Sequence, residues 1–141
     1  TTLDMRVQAN SHFENSNAIG TIFLHEVADI LGFGVVEIDK TNKISRFLEK
    51  PSPSETQSRL INGGRYVLSK EIIEFIPTKT PVSIERDIFP KLVEKKKLYG
   101  FRSNQPVFWQ AINTLDALRE LELMFSKGRL NWPRFDTSLK C

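Results

Sequence analysis

Four short segments of this 141-residue chain carry residue types that can act on a polar, charged ligand. Glu49-Lys50-Pro51 sets a carboxylate beside an ammonium at a place where proline stiffens the backbone. Such a carboxylate accepts hydrogen bonds from polyol hydroxyls, and the ammonium is a point charge for a phosphate. The same pair also reads as a plain surface ion pair. Asn62-Gly63-Gly64 offers an amide, both donor and acceptor, beside open backbone. Gly34, where a missing side chain lets a ligand approach the main chain, reads equally as a turn glycine. Finally Trp109-Gln110-Ala111-Ile112-Asn113-Thr114 places a polar pair where a strand meets a helix, with Thr114 also suited to cap that helix.

These segments need elements to position them, and the apolar patterning predicts which. Strands are expected at Thr21–Val27, Val35–Asp39 and Ile44–Glu49, the last two forming a hairpin across the polar turn 39–43. Pro51-Ser52-Pro53-Ser54 ends that hairpin, because proline cannot donate to a ladder. A further strand is expected over Gly63–Leu68, with others at Leu98–Phe101 and Val107–Trp109. Three helices are expected. One is capped by Ser69 and stopped by Pro77, and one is capped by Ser83, with Pro90 kinking or shortening it. The third runs from a Thr114 cap to Gly128. Strands alternating with helices point to an α/β sheet with helices packed on it. Ligand sites in such sheets lie at the loops beyond strand ends, where the four segments fall.

Composition narrows the class. The chain is 40% hydrophobic and 26% charged, in the range of folded globules, and its length suits one domain. The one cysteine, Cys141, excludes a disulfide framework and a cysteine-based zinc site. No apolar run reaches membrane-spanning length and no signal peptide opens the chain, so a soluble, cytoplasmic protein with no membrane partner is expected. The first residue is Thr1 rather than Met, which suggests a processed chain or a fragment. A net charge of +3 with both signs interspersed argues against nucleic acid. The Lys95-Lys96-Lys97 run is read as cations at a helix C-terminus.

The order of segments adds a resemblance. Gly34-Val35-Val36-Glu37, Arg46-Phe47-Leu48-Glu49-Lys50-Pro51, Ile61-Asn62-Gly63-Gly64-Arg65-Tyr66-Val67-Leu68 and Ser83-Ile84-Glu85-Arg86-Asp87-Ile88-Phe89-Pro90-Lys91-Leu92 resemble the second half of sugar-1-phosphate nucleotidyltransferases. The set is most similar to mannose-1-phosphate guanylyltransferases, which make GDP-mannose. The resemblance covers about residues 12–125. It implies a Rossmann-like mixed-sheet nucleotide-diphospho-sugar transferase fold. It also implies transfer of a nucleotide from a nucleoside triphosphate to a sugar 1-phosphate, with Mg²⁺ and release of pyrophosphate.

The matched positions receive roles by that resemblance. Gly34 would contact the sugar through its backbone, Glu49 would take ring hydroxyls, Lys50 would hold the sugar phosphate and act in catalysis, and Asn62 would help read the sugar. Two departures stand out. Nothing here matches the family's glycine-rich triphosphate loop or its first metal-binding aspartate. Residues 1–128 are therefore expected to be the C-terminal, sugar-binding half, inactive by itself, with 129–141 an irregular tail. In Trp-x-Asp-Ile-Gly-Thr-Pro the family's second metal aspartate is replaced here by Ala111. Asn113 resembles the asparagine of related uridylyltransferases and becomes the candidate Mg²⁺ ligand, with Asp116 as the alternative. That substitution also leaves open a catalytically silent regulatory or assembly subunit, and self-association is left open too.

Overall fold

The computed structural model describes residues 1–78 and 81–130. Contacts divide the chain into two units, Met5–Arg102 and a second made of Thr1–Asp4 with the chain from Ser103 onward.

In the larger unit the elements run α1 (Met5–Glu14), β1 (Gly20–Glu26), β2 (Gly34–Ile38), β3 (Ile44–Glu49), β4 (Leu60–Leu68), a 3₁₀ turn (Lys70–Phe75), a π turn (Ile84–Ile88), α2 (Phe89–Glu94) and β5 (Leu98–Phe101). The strands form one mixed sheet ordered β3-β2-β4-β1-β5, parallel only between β1 and β5. The expected α/β class therefore holds. β1 lies inside the sheet and is buried on both faces, which is why its apolar residues run consecutively rather than alternate. The core joins Ile22, Leu24, Val36 and Ile44 of the sheet to Ile88, Phe89 and Leu92 from the π turn and α2.

Several expectations need correction. β4 begins at Leu60 rather than Gly63, and its glycines sit mid-strand in a bulge. Ser69 does not cap the 3₁₀ turn through its side chain, because its hydroxyl is spent on the Ala18 carbonyl at 3.2 Å and on His12. Ser83 does cap, with Oγ accepting from the Arg86 amide at 3.2 Å. The helix it opens is not α-helical at first. Pro90 has no amide to give back to the preceding turn, and the Phe89 amide reaches the Ile84 carbonyl five residues back. α2 then ends at the lysine run in a Schellman closure, with Lys96 left-handed (φ 57°) and the Lys97 amide bonded to the Leu92 carbonyl at 2.8 Å.

The helix α1 has no counterpart among the expected elements. It buries Gln8 and His12, one turn apart, instead of apolar residues. Ser69 Oγ gives its hydrogen to Ala18, so it accepts from His12 Nε2–H at 2.9 Å. Nδ1 then accepts from the Thr21 hydroxyl at 2.8 Å, and the ring is neutral. Burial holds the imidazole below its ordinary value of 6.5. A histidine depressed in the folded state contributes stability above the unfolded value, and that contribution is lost as pH falls through 6.5 toward the folded one. Urea unfolding at pH 7.5 and pH 5 should therefore show a loss on acidification that is smaller in His12→Gln. His25, also lowered by burial, stays in both proteins as a common background. An equal loss in parent and variant would remove His12 from the account.

In the second unit, α3 (Leu115–Ser126) is capped as expected. Thr114 Oγ1 accepts from the Ala117 amide at 3.1 Å, and the chain closes at Gly128 (φ 63°). Residues 107–109 form no strand. Phe108 instead exchanges bonds with Thr2, donating to its hydroxyl at 3.0 Å and accepting from its amide at 2.9 Å. Of the expected irregular tail, 131–141 lie outside the described residues, and Arg129 and Leu130 have no regular structure. No helix among the described residues is long and apolar enough to cross a membrane.

Candidate functional site

Three strands bring three of the anticipated residues into a row. Gly34 at the start of β2 faces Glu49 at the end of β3, and the neighbouring pair Val35–Ile61 sets Asn62 of β4 on the other side of Gly34. The glycine makes this row possible. A Cβ at position 34 would stand 3.2 Å from Glu49 Oε2, 3.1 Å from Phe47 Cζ and 3.6 Å from Asn62 Cβ. The first two contacts are tight and the third is ordinary, so the Glu49 carboxylate and the Phe47 ring together occupy the space a side chain would fill.

Lys50 follows directly. Its Nζ lies 4.0 Å from Glu49 Oε1, at the outer limit of an ion pair, and its side chain is 65% exposed. An exposed contact that long contributes little to stability and leaves the ammonium free to move. The backbone of Lys50 is left-handed (φ 51°), a conformation that costs a non-glycine residue about 1–2 kcal/mol. Its amide is bonded to the Phe33 carbonyl at 3.2 Å, which anchors the turn leading into Gly34.

Two residues that sequence reasoning did not assign complete the cluster. Asn62 Nδ2 donates to Tyr66 Oη at 2.9 Å and to Glu85 Oε1 at 2.6 Å, and the Tyr66 hydroxyl donates to the same Glu85 oxygen at 3.2 Å. Asn62 Oδ1 accepts from the Gly64 amide at 3.0 Å. The bulge explains the geometry. Between Ile22 and Leu24 of β1, β4 inserts extra residues around Gly63 and Gly64 (φ 74°), which separates Asn62 from Tyr66 without sending them to opposite faces. Burial, with Glu85 and Glu49 nearby, raises the Tyr66 phenol above 10.0 against the opposing bond from Asn62. Beneath the cluster, Phe89 packs edge-on against Tyr66 (5.1 Å between centroids) and tilted against Phe47 (5.4 Å). The signal for Glu85 in the sequence was Pro90 five residues on, which forces the π turn carrying it.

Chemically, one end of this cluster presents carboxylates and a carboxamide oxygen to hydroxyl groups, and the other presents a mobile ammonium. Asn113 and Asp116 belong to the second unit. Both are exposed, and Asp116 Oδ1 pairs with Arg119 Nη1 at 3.3 Å. Among the described residues no group of three His, Cys, Asp or Glu side chains could hold a metal ion. A protein-only metal cage is therefore not found there.

Residues 4–127 match the sequence profile of the family described as nucleotidyl transferase. The mannose-1-phosphate guanyltransferase of Saccharomyces cerevisiae is 44% identical over 84 residues, 58% of this chain and 22% of that protein. A UTP–glucose-1-phosphate uridylyltransferase of Synechocystis is 35% identical over 121 residues, 78% of this chain and 31% of that protein. A Bacillus anthracis structure assigned as a glucose-1-phosphate thymidylyltransferase superposes with a TM-score of 0.69 at 23% identity, over 86% of this chain and 49% of that one. At that identity the superposition speaks for the fold, and it supports the mixed-sheet nucleotide-diphospho-sugar transferase architecture. The chain thus spans under a third of these two curated relatives and about half of the solved structure.

Proposed function

This chain belongs to the nucleotidyl transferase family, and from that premise we propose that it is the sugar-phosphate-binding, C-terminal half of a sugar-1-phosphate nucleotidyltransferase, most like a mannose-1-phosphate guanylyltransferase. The observation that carries the reading is the row Glu49–Gly34–Asn62 with the Lys50 ammonium at its end. Acceptors for hydroxyls stand beside a cation for phosphate, the two ends of a sugar 1-phosphate.

In the reaction an oxygen of the sugar phosphate attacks the α-phosphorus of a nucleoside triphosphate, a new P–O bond forms, and the bond to pyrophosphate breaks. Most of the work in such a transfer is positioning and charge neutralisation. Glu49 and Asn62 hold the sugar by its hydroxyls, and the Lys50 ammonium offsets repulsion between the sugar phosphate and the triphosphate. Mg²⁺, when bound, would neutralise the triphosphate. It commonly takes only one or two protein oxygens beside phosphate and water, so the Asn113 carboxamide, or Asp116 once released from Arg119, fits as a contributing ligand. A second reading, a silent regulatory or assembly subunit, draws on Ala111 standing where the family carries its metal aspartate.

The test is an NMR titration of the 141-residue chain with mannose 1-phosphate, mannose and inorganic phosphate. The sugar phosphate should bind more tightly than either part, and Lys50→Ala should weaken it about tenfold or more while spectral dispersion stays native. Unchanged affinity in Lys50→Ala would return the lysine to a surface ion pair.

A further inference from the structure

The bonding inside the Asn62–Tyr66–Glu85 cluster is directional, and the direction restricts what a ligand can meet there. A carboxamide has two N–H donors and an oxygen with two lone pairs. Both Asn62 donors are spent, one on Tyr66 Oη at 2.9 Å and one on Glu85 Oε1 at 2.6 Å. The Tyr66 hydroxyl, having accepted one of them, sends its own hydrogen to Glu85 Oε1 at 3.2 Å. Glu85 therefore takes one Asn62 donor and the Tyr66 hydrogen, Tyr66 Oη takes the other Asn62 donor, and none of the three is left for a ligand. What remains is acceptor capacity: the second lone pair of Asn62 Oδ1, the second oxygen of Glu85, and the Glu49 carboxylate across Gly34. Such a set bonds hydroxyl groups and leaves a deoxy carbon unrecognised. It also disfavours a phosphate, which fixes the orientation of the ligand with its phosphate toward Lys50.

We propose that Glu85 is a positioning and specificity-determining residue, which holds Asn62 as a pure acceptor and so makes this end of the site select for free sugar hydroxyls. The inference rests on the reading of the site as a sugar-phosphate site and adds to it the residue that sets hydroxyl discrimination. Placement supports it. Glu85 lies in the π turn imposed by Pro90, an irregularity that presents its carboxylate to β4, where it meets both Asn62 and Tyr66. Removing the carboxylate returns a donor to the site. Glu85→Ala frees an Asn62 N–H, and Glu85→Gln, nearly isosteric, introduces an N–H of its own.

The experiment titrates the 141-residue chain and both variants with mannose 1-phosphate, its 2-deoxy and 3-deoxy analogues, and inorganic phosphate, followed by NMR. The parent should prefer mannose 1-phosphate over at least one deoxy analogue about tenfold. In both variants that ratio should fall to within about twofold of unity, with affinity for inorganic phosphate unchanged. A merely structural Glu85 would weaken all the sugar phosphates by one common factor, and an unchanged ratio in the folded Gln variant overturns the proposal. A parent that discriminates against neither deoxy analogue overturns it as well. A parent that binds mannose 1-phosphate no better than inorganic phosphate is a different failure, since it removes the sugar-site reading together with what rests on it.

Discussion

Phe89→Ala is expected to lower the unfolding free energy by about 3–5 kcal/mol, the usual cost of emptying a buried aromatic site. The ring is fully buried and belongs to the cluster that joins α2 and the π turn to the sheet. It also holds Tyr66 edge-on and Phe47 tilted, so truncation takes away two aromatic contacts besides leaving a cavity. Against a total stability of about 5–15 kcal/mol for a chain of this size, that is a large fraction. Urea unfolding followed by circular dichroism measures it, with Phe89→Leu as the comparison that gives up the two ring contacts but refills part of the volume and so costs less than the alanine variant. Because Tyr66 and Phe47 border Asn62 and Gly34, affinity for a sugar 1-phosphate should fall further in Phe89→Ala than in Phe89→Leu. A loss below about 1.5 kcal/mol in the alanine variant would mean that the neighbours collapse into the space, and that Phe89 is not what props the cluster.

The same ring shows which parts of the fold were legible beforehand. β1, β2, β3 and β5 were readable because burial of a strand demands consecutive or alternating apolar residues, and Ile22-Phe23-Leu24 and Val35-Val36 supply them. α1 was not readable, since its inward face is Gln8 and His12 while Val7 and Phe13 are exposed. A helix that pays for burial with hydrogen bonds leaves no apolar period to find. Val107-Phe108-Trp109 has the composition of a strand, but its hydrogen-bond partner is Thr2 at the far end of the chain, which no local pattern encodes. At the site, Gly34, Glu49, Lys50 and Asn62 stood out by residue type at strand ends. Tyr66 and Glu85 did not, because their meeting with Asn62 depends on a bulge in one element and a π turn in another. Both irregularities come from residues that alter the backbone rather than the side-chain pattern, the glycine pair and Pro90.

That glycine pair provides the other large effect, and its two members should fail for different reasons. A Cβ on Gly63 would lie 2.5 Å from Phe23 Cδ1 and 2.9 Å from the Phe23 backbone oxygen. Phe23 is 1% exposed and sits in β1, flanked by β4 on one side and β5 on the other, so neither ring nor backbone has room to retreat. Gly63→Ala is thus an overpacking substitution against main chain, expected to cost about 3 kcal/mol or slightly more. At Gly64 the added atom meets nothing within 4 Å, and the obstacle is the backbone itself, left-handed at φ 74°. Gly64→Ala should cost about 1–2 kcal/mol, and Gly64→Asn less, since asparagine tolerates that region. Both Gly64 variants keep the amide that bonds Asn62 Oδ1, so they should lose stability with little loss of sugar-phosphate affinity. Gly63→Ala shifts β4 where Asn62 is attached and should lose both. Urea midpoints and mannose 1-phosphate titrations on the three variants are sufficient to check this. If Gly64→Ala proved the most damaging of the three, conformational strain rather than contact with Phe23 would be what places glycines in the bulge.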